Sequence, residues 1–167
     1  MELREVRGAA RRQRQPFPPH RRARRSADRR ADRVAPTPVS EVASADRCPC
    51  LSGETFGECC EPFHLGTRAV PTAERLMRSR YSAYATGRAD YVISTWHPTT
   101  VPSDLVLDDD TRWYRLDILA KESGGPFDTE GSVLFEAFWR RGDERGSQLE
   151  KSRFVREDGR WLYVDGL

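Results

Sequence analysis

All four cysteines of this chain fall inside thirteen residues, Cys48-Pro49-Cys50-Leu51-Ser52-Gly53-Glu54-Thr55-Phe56-Gly57-Glu58-Cys59-Cys60, and nothing else constrains the fold as much. The spacing is C-x-C, eight residues, then C-C, which brings four soft donors to one point once the eight-residue loop folds back on itself. Pro49 presets one φ in the first tight turn and Ser52-Gly53 supplies the next reversal, so little entropy opposes the loop. Four converging thiolates ask for a metal ion. Two plainer readings fit less well. Adjacent Cys59 and Cys60 cannot bridge each other without strain, because a relaxed disulfide needs a particular torsion about its S–S bond. Pairing each with Cys48 and Cys50 suits a small secreted scaffold, and the rest of this chain is too large to need such staples. Cys48, Cys50, Cys59 and Cys60 are therefore expected to hold one ion, Zn2+ by default, with iron also suited to a tetrahedral set of four sulfurs. A closed four-sulfur shell leaves no open position for water, so the site is expected to be structural or adhesive, with no catalysis at the metal.

Charge divides the chain. Residues 1–47 carry a net +7 and residues 48–167 a net −5, so the overall +2 describes neither part. The first 44 residues are Arg-rich, lack Lys, and offer Leu3, Val6, Phe17 and Val34 as almost their only sizeable apolar side chains. They are expected to be a disordered tail, or the product of a start assigned too early, because they cannot bury enough surface to order themselves. Arg21, Arg22, Arg24, Arg25, Arg29 and Arg30 give that tail an electrostatic route to nucleic acid. No apolar segment follows the positive charges as in a secretory signal, and no run is long enough to cross a bilayer, so the expectation is a cytoplasmic chain with no membrane partner.

Beyond the cysteines, Pro62 to Gly66 reads as a connector in which Phe63 caps the metal loop and His64 is a spare or neighbouring side chain, four sulfurs already filling the shell. Thr72 is placed to cap a helix, with Glu74 in its positive first turn. Ala73, Leu76, Met77, Tyr81 and Tyr84 recur at helical spacing up to Gly87, and Arg78 and Arg80 fall off that stripe. A shorter helix is expected from Asp90 to Trp96, ended by Pro98. Strands are expected over Trp113–Glu122, Gly131–Arg140, Ser147–Arg156 and Arg160–Asp165, separated by glycine-rich turns that include Gly142 to Gly146. Helices first and hairpin-linked strands afterwards is the α+β pattern. Trp96, Trp113, Trp139 and Trp161 each lie in an apolar-periodic segment and are expected in the core.

The cysteine stretch, with Ser52-Gly53 inside it, resembles the SEC-C motif, the small metal-binding module at the carboxyl end of the SecA translocase. Met77-Arg78-Ser79-Arg80-Tyr81-Ser82-Ala83-Tyr84, Thr95-Trp96-His97-Pro98, Glu150-Lys151-Ser152-Arg153-Phe154 and Trp161-Leu162-Tyr163-Val164-Asp165-Gly166 resemble the YchJ-like family, from Cys48 onward. That resemblance implies an SEC-C-like module over 45–66 and, over 67–167, an NTF2-like α+β domain with a helix hairpin packed on a curved antiparallel sheet. It brings a fold and a metal site and names no chemistry. Two departures stand out. The usual module has Gly where Leu51 stands, so a left-handed backbone there would cost energy. Its loop is usually basic, whereas this one carries Glu54 and Glu58.

A curved sheet with a helix across its mouth encloses a pocket, and His97, Glu150, Ser152, Arg153 and Asp165 are the polar residues expected to matter if it does chemistry. The plainer expectation is that His97 caps the helix before Pro98 and that Glu150 pairs with Arg78 or Arg80 to hold helix to sheet. No nucleophile–base pair is legible. Two function classes follow. The leading one is a non-enzymatic metal-module accessory that binds a protein partner, ribosome or export chaperone, around translation or export as the SEC-C resemblance implies. The alternative is a small-molecule-binding protein or enzyme using the NTF2-like pocket.

Overall fold

The computed structural model describes residues 42–167. The expectations for the Arg-rich tail and its nucleic-acid role therefore lie almost wholly outside the described residues. Its last three residues do not behave as tail: Val42 packs against the core, and Ser44 accepts the Gly57 amide at 2.8 Å. A short helix α1 (Glu61–His64) follows the cysteines where a connector was expected, then α2 (Ala73–Ala85) and α3 (Ala89–Ser94). Four strands complete the chain: β1 (Arg112–Ser123), β2 (Glu130–Arg141), β3 (Glu144–Glu157) and β4 (Arg160–Gly166).

The strands form one antiparallel meander in the order β1-β2-β3-β4, curved across the helices in the expected α+β architecture. The β2–β3 connection is tighter than expected. Arg141 pairs with Glu144, leaving only Gly142 and Asp143 as the turn, and Glu144 to Gly146 belong to β3. Gly142 takes the positive φ that such a two-residue turn requires. At the far edge, Trp96 bridges Tyr163, and Tyr163 exchanges backbone bonds with Thr95 and His97, so the middle of β4's outer edge is covered.

Helix α2 organises the interior. Thr72 caps it by accepting the Arg75 amide at 3.1 Å, as its position in the sequence indicates. Its amino end docks on the β1–β2 turn, where the Ala73 amide donates to the Gly124 carbonyl. Gly124 sits at φ 81°, and a Cβ there would come within 2.6 Å of Ala73, so the close approach needs glycine. Leu76, Met77, Tyr81 and Tyr84 of α2 meet Val133, Phe135 and Ala137 of β2 and Phe154 of β3 in one buried cluster. Trp96 and Trp161 are buried as expected, while Trp113 and Trp139 are half-buried at the end of the sheet. No helix among the described residues is long and apolar enough to cross a membrane.

Candidate metal centre

The thirteen-residue loop closes through its own backbone. Leu51 donates to the Cys48 carbonyl, Cys48 to Glu54, Phe56 to Asp46, Cys59 to Thr55 and Glu61 to Phe56, all at 2.8–3.0 Å. These bonds turn the two cysteine pairs toward each other. The four Sγ atoms lie within 4.8 Å of one another and are all buried, with Cys50–Cys59 at 3.6 Å and Cys59–Cys60 at 3.8 Å. A tetrahedron with arms of about 2.3 Å has edges of about 3.8 Å, so the donor set fits a zinc- or iron-sized ion. All four thiols are free, and no pair is drawn to bonding distance.

Leu51 takes the left-handed backbone, φ 57°, that the sequence marked as costly for a residue other than glycine. The turn is kept at a cost of about 1–2 kcal/mol, and its side chain stands 52% exposed beside the sulfurs. Hydrogen bonding among the sulfurs is the first cause of every shift in the cluster: it holds Cys50 and Cys59 below the ordinary thiol range, Cys59 at about 6, and pushes Cys48 and Cys60 above it. Four thiols so close cannot all ionise unaided, and the ion that fits them would supply the missing positive charge.

The sequence pattern left the surroundings of the loop unread. Arg75 of α2 donates to Cys59 Sγ at 3.4 Å and to Glu54 at 3.0 Å. One turn further, Arg78 donates to the Cys50 carbonyl at 3.1 Å and pairs with Glu74. Ser82 lies 3.7 Å from Cys48 Sγ, Ser52 lies 3.1 Å from Cys59 Sγ, and Arg68 donates to the Glu58 carbonyl. The helix thus presents positions 75, 78 and 82, one stripe at helical spacing, to the four sulfurs. Arginines at 68 and 75 offset the acidity that Glu54, Glu58 and Glu61 give the loop on paper. The boundary between module and body is not a gap: the cysteines, Phe56 and Phe63 belong to the same buried cluster as the inner face of the sheet. His64 is half-buried, its Nε2 2.8 Å from the Ser79 carbonyl and its ring against Phe56 and Tyr91; it is no ligand.

The five pocket residues part company. Glu150 and Ser152 share the inner face of β3, where Glu150 accepts from Ser152 at 2.6 Å, Gln148 at 2.9 Å and Tyr163 at 3.3 Å, and burial pushes its carboxyl up. Arg153 and Asp165 form an ion pair at 3.0 Å on the outer face. His97 meets neither carboxylate; its ring bonds Thr99 and Glu157 at the sheet edge. The expected ion pair between Glu150 and an α2 arginine also takes another form. Arg78 is spent on the metal loop. Arg80, which sequence spacing put off the apolar stripe, is fully buried: it donates to the Val92 carbonyl and Thr95, and lies over the rings of Trp96 and Tyr163 at 4.9 and 4.6 Å. Glu150 attracts it only through space. Thr95-Trp96 and Tyr163, far apart in sequence, build this cation cage, and no local signal marks it. A groove of about 480 Å³ lies elsewhere, between α1, α3 and β4, with Phe63, His64, Tyr91, Arg160 and Trp161 in its walls.

Comparison with known proteins agrees with both halves. Residues 72–166 match the model for the YchJ middle NTF2-like domain, and residues 45–62 match the SEC-C motif. A UPF0225 protein of Corynebacterium efficiens is 53% identical over 120 residues, covering 72% of this chain and 92% of its own. One from Streptomyces coelicolor is 50% identical over 119 residues, covering 71% and 93%. Among solved structures, a SEC-C motif protein from Rhodopseudomonas palustris superposes with a TM-score of 0.63 at 33% identity, over 72% of this chain and 96% of the other. A SEC-C motif protein from Psychrobacter arcticus gives 0.60 at 26% identity, over 73% and 82%.

Proposed function

The chain belongs to the UPF0225 (YchJ) family, and on that premise we propose that it is a non-enzymatic zinc-bearing accessory that docks onto a protein partner, ribosomal or an export chaperone. The observation that carries this reading is the inward convergence of four buried sulfurs with an arginine beside them. A shell of that kind holds a loop in shape and leaves no site for a reacting water. Free thiols that must stay reduced to bind an ion favour a cytoplasmic setting. What the shape presents outward is Leu51, an exposed apolar side chain kept in a strained backbone, on a loop that also exposes Glu54 and Glu58. Strain held at an exposed apolar position marks a contact surface. With Glu54 held by Arg75, the exposed Glu58 carboxylate, bonded to Thr55, is the charge that suits a basic partner, steered by charge and weakened by salt.

The test pairs metal analysis with capture. Protein purified without chelator should carry about one zinc per chain. Leu51→Ser with Glu58→Lys should keep that ion and lose the captured partner. Less than about half an equivalent of zinc plus iron would overturn the metal reading, and unchanged capture by the ion-loaded variant would overturn the docking face.

A further inference from the structure

The outer face of the sheet carries a charge arrangement that the metal reading does not use. Arg112 of β1 is directly opposite Arg140 of β2, and Arg140 is directly opposite Arg145 of β3. Three guanidinium groups therefore stand side by side across three strands on one face, all exposed. Like charges in directly opposed positions destabilise a sheet. Elsewhere on this sheet the arginines and Lys151 have partners: Arg115 pairs with Asp117, Arg141 with Asp108, Lys151 with Glu122 and Arg153 with Asp165, while Arg156 and Arg160 donate to backbone carbonyls. Among the described residues no carboxylate comes within ion-pair distance of Arg112, Arg140 or Arg145, and none of the three has another partner.

The same corner is concave and aromatic. Arg112, Arg140, Arg145 and Tyr114 line a cleft of about 240 Å³. Tyr114 sits at a β1 irregularity, unpaired between Trp113 and Arg115, which turns it out of the ladder and leaves it 43% exposed. Its ring leans on Phe138, which in turn lies under Arg115. Strands about 4.8 Å apart set the outer two arginines about 10 Å apart, wider than one phosphate and suited to successive phosphates of an extended strand. Planar guanidinium forks match phosphate oxygens, and an exposed ring beside them offers a base its face.

We propose that this corner is a binding site for single-stranded nucleic acid, with Arg112, Arg140 and Arg145 on the phosphates and Tyr114 under a base. It shares no residue with the metal loop, nor with the Arg-rich first residues whose charge also suits polyanions.

The experiment uses the full chain and a fluorescent ten-nucleotide oligouridylate, titrated over a range of salt. Replacing Arg112, Arg140 and Arg145 together by Gln should weaken binding and lower the salt slope by about 2, at roughly 0.7 for each phosphate no longer neutralised. Tyr114→Ala alone should weaken binding about tenfold. The triple variant removes a repulsion, so its melting temperature should equal or exceed that of the native chain. A photo-crosslink from thiouridine in the same oligonucleotide should map to the peptide containing Tyr114. Crosslinks confined to residues 1–41, an unchanged slope in the triple variant, or equal displacement by polyglutamate would each overturn the proposal.

Discussion

Between Cys48 and Cys60 the backbone makes turn bonds and one isolated bridge, and the side chains it buries are four sulfurs and Phe56. Between Arg112 and Gly166 each strand is laddered to a neighbour over most of its length, with Leu116, Val133, Phe135, Ala137 and Phe154 facing the core. The sheet draws its order from alternation written into its own strands. The loop draws its order from an ion and from a helix that follows it. Residues 75, 78 and 82 reach it from one side of α2, and residues 76, 77, 80 and 84 of the same helix serve the sheet.

The sharpest way to break this comparison is to strip the metal. Binding in small structural zinc sites is worth on the order of 10–16 kcal/mol, and a strong chelator should remove that support from the loop. Hydrogen exchange should then become fast at residues 46–61 and remain slow in the paired strands β2 and β3. The melting temperature should fall as well, because Arg75 and Arg78 lose what they hold. If the strand amides are released together with the loop, the two regions are one cooperative unit.

The second cut falls on the other side of α2. Arg80→Ala should destabilise the body by about 3–5 kcal/mol in urea unfolding, since it empties a large buried volume and leaves Glu150 without its cation. Burial already pushes the Arg80 pKa down, a sign that little solvent supports its charge. Zinc content should stay at about one per chain. Zinc lost in step with folding would show that the two faces of the helix cannot be separated.

The smallest effect is expected at Leu51. Leu51→Gly relieves the left-handed backbone and gives back part of that gain as unfolded-chain entropy, for a net of about 0.5–1 kcal/mol in favour of the loop. Zinc should leave more slowly to a competing chelator. An unchanged or faster release would show that the turn carries no strain worth relieving.

How much of this is legible in the sequence follows the range of each interaction. The cysteine spacing, the Thr72 cap and the alternation of β2 are local patterns, and each is readable from the residues alone. The β2–β3 turn is misread because Gly142 and Gly146 both look like turn residues. Only the register shows that Gly146 lies opposite Trp139, where a Cβ would come within 2.7 Å of the ring. Arg80 looks like a surface residue because helical spacing says where a side chain points along one helix and nothing about what arrives opposite it. Its cage comes from Thr95, Trp96 and Tyr163, and His97 meets Glu157 sixty residues away for the same reason.

The position of α2 between loop and sheet also sets an order of events during synthesis. The cysteines emerge first, yet the helix that braces them is itself seated on strands that emerge last, about a hundred residues after Cys60, or about 5–20 s at usual elongation rates. Through that interval the four thiols can gather an ion, while the arginines that brace the finished site are not yet in place. The loop that is made before the sheet is locked only after it.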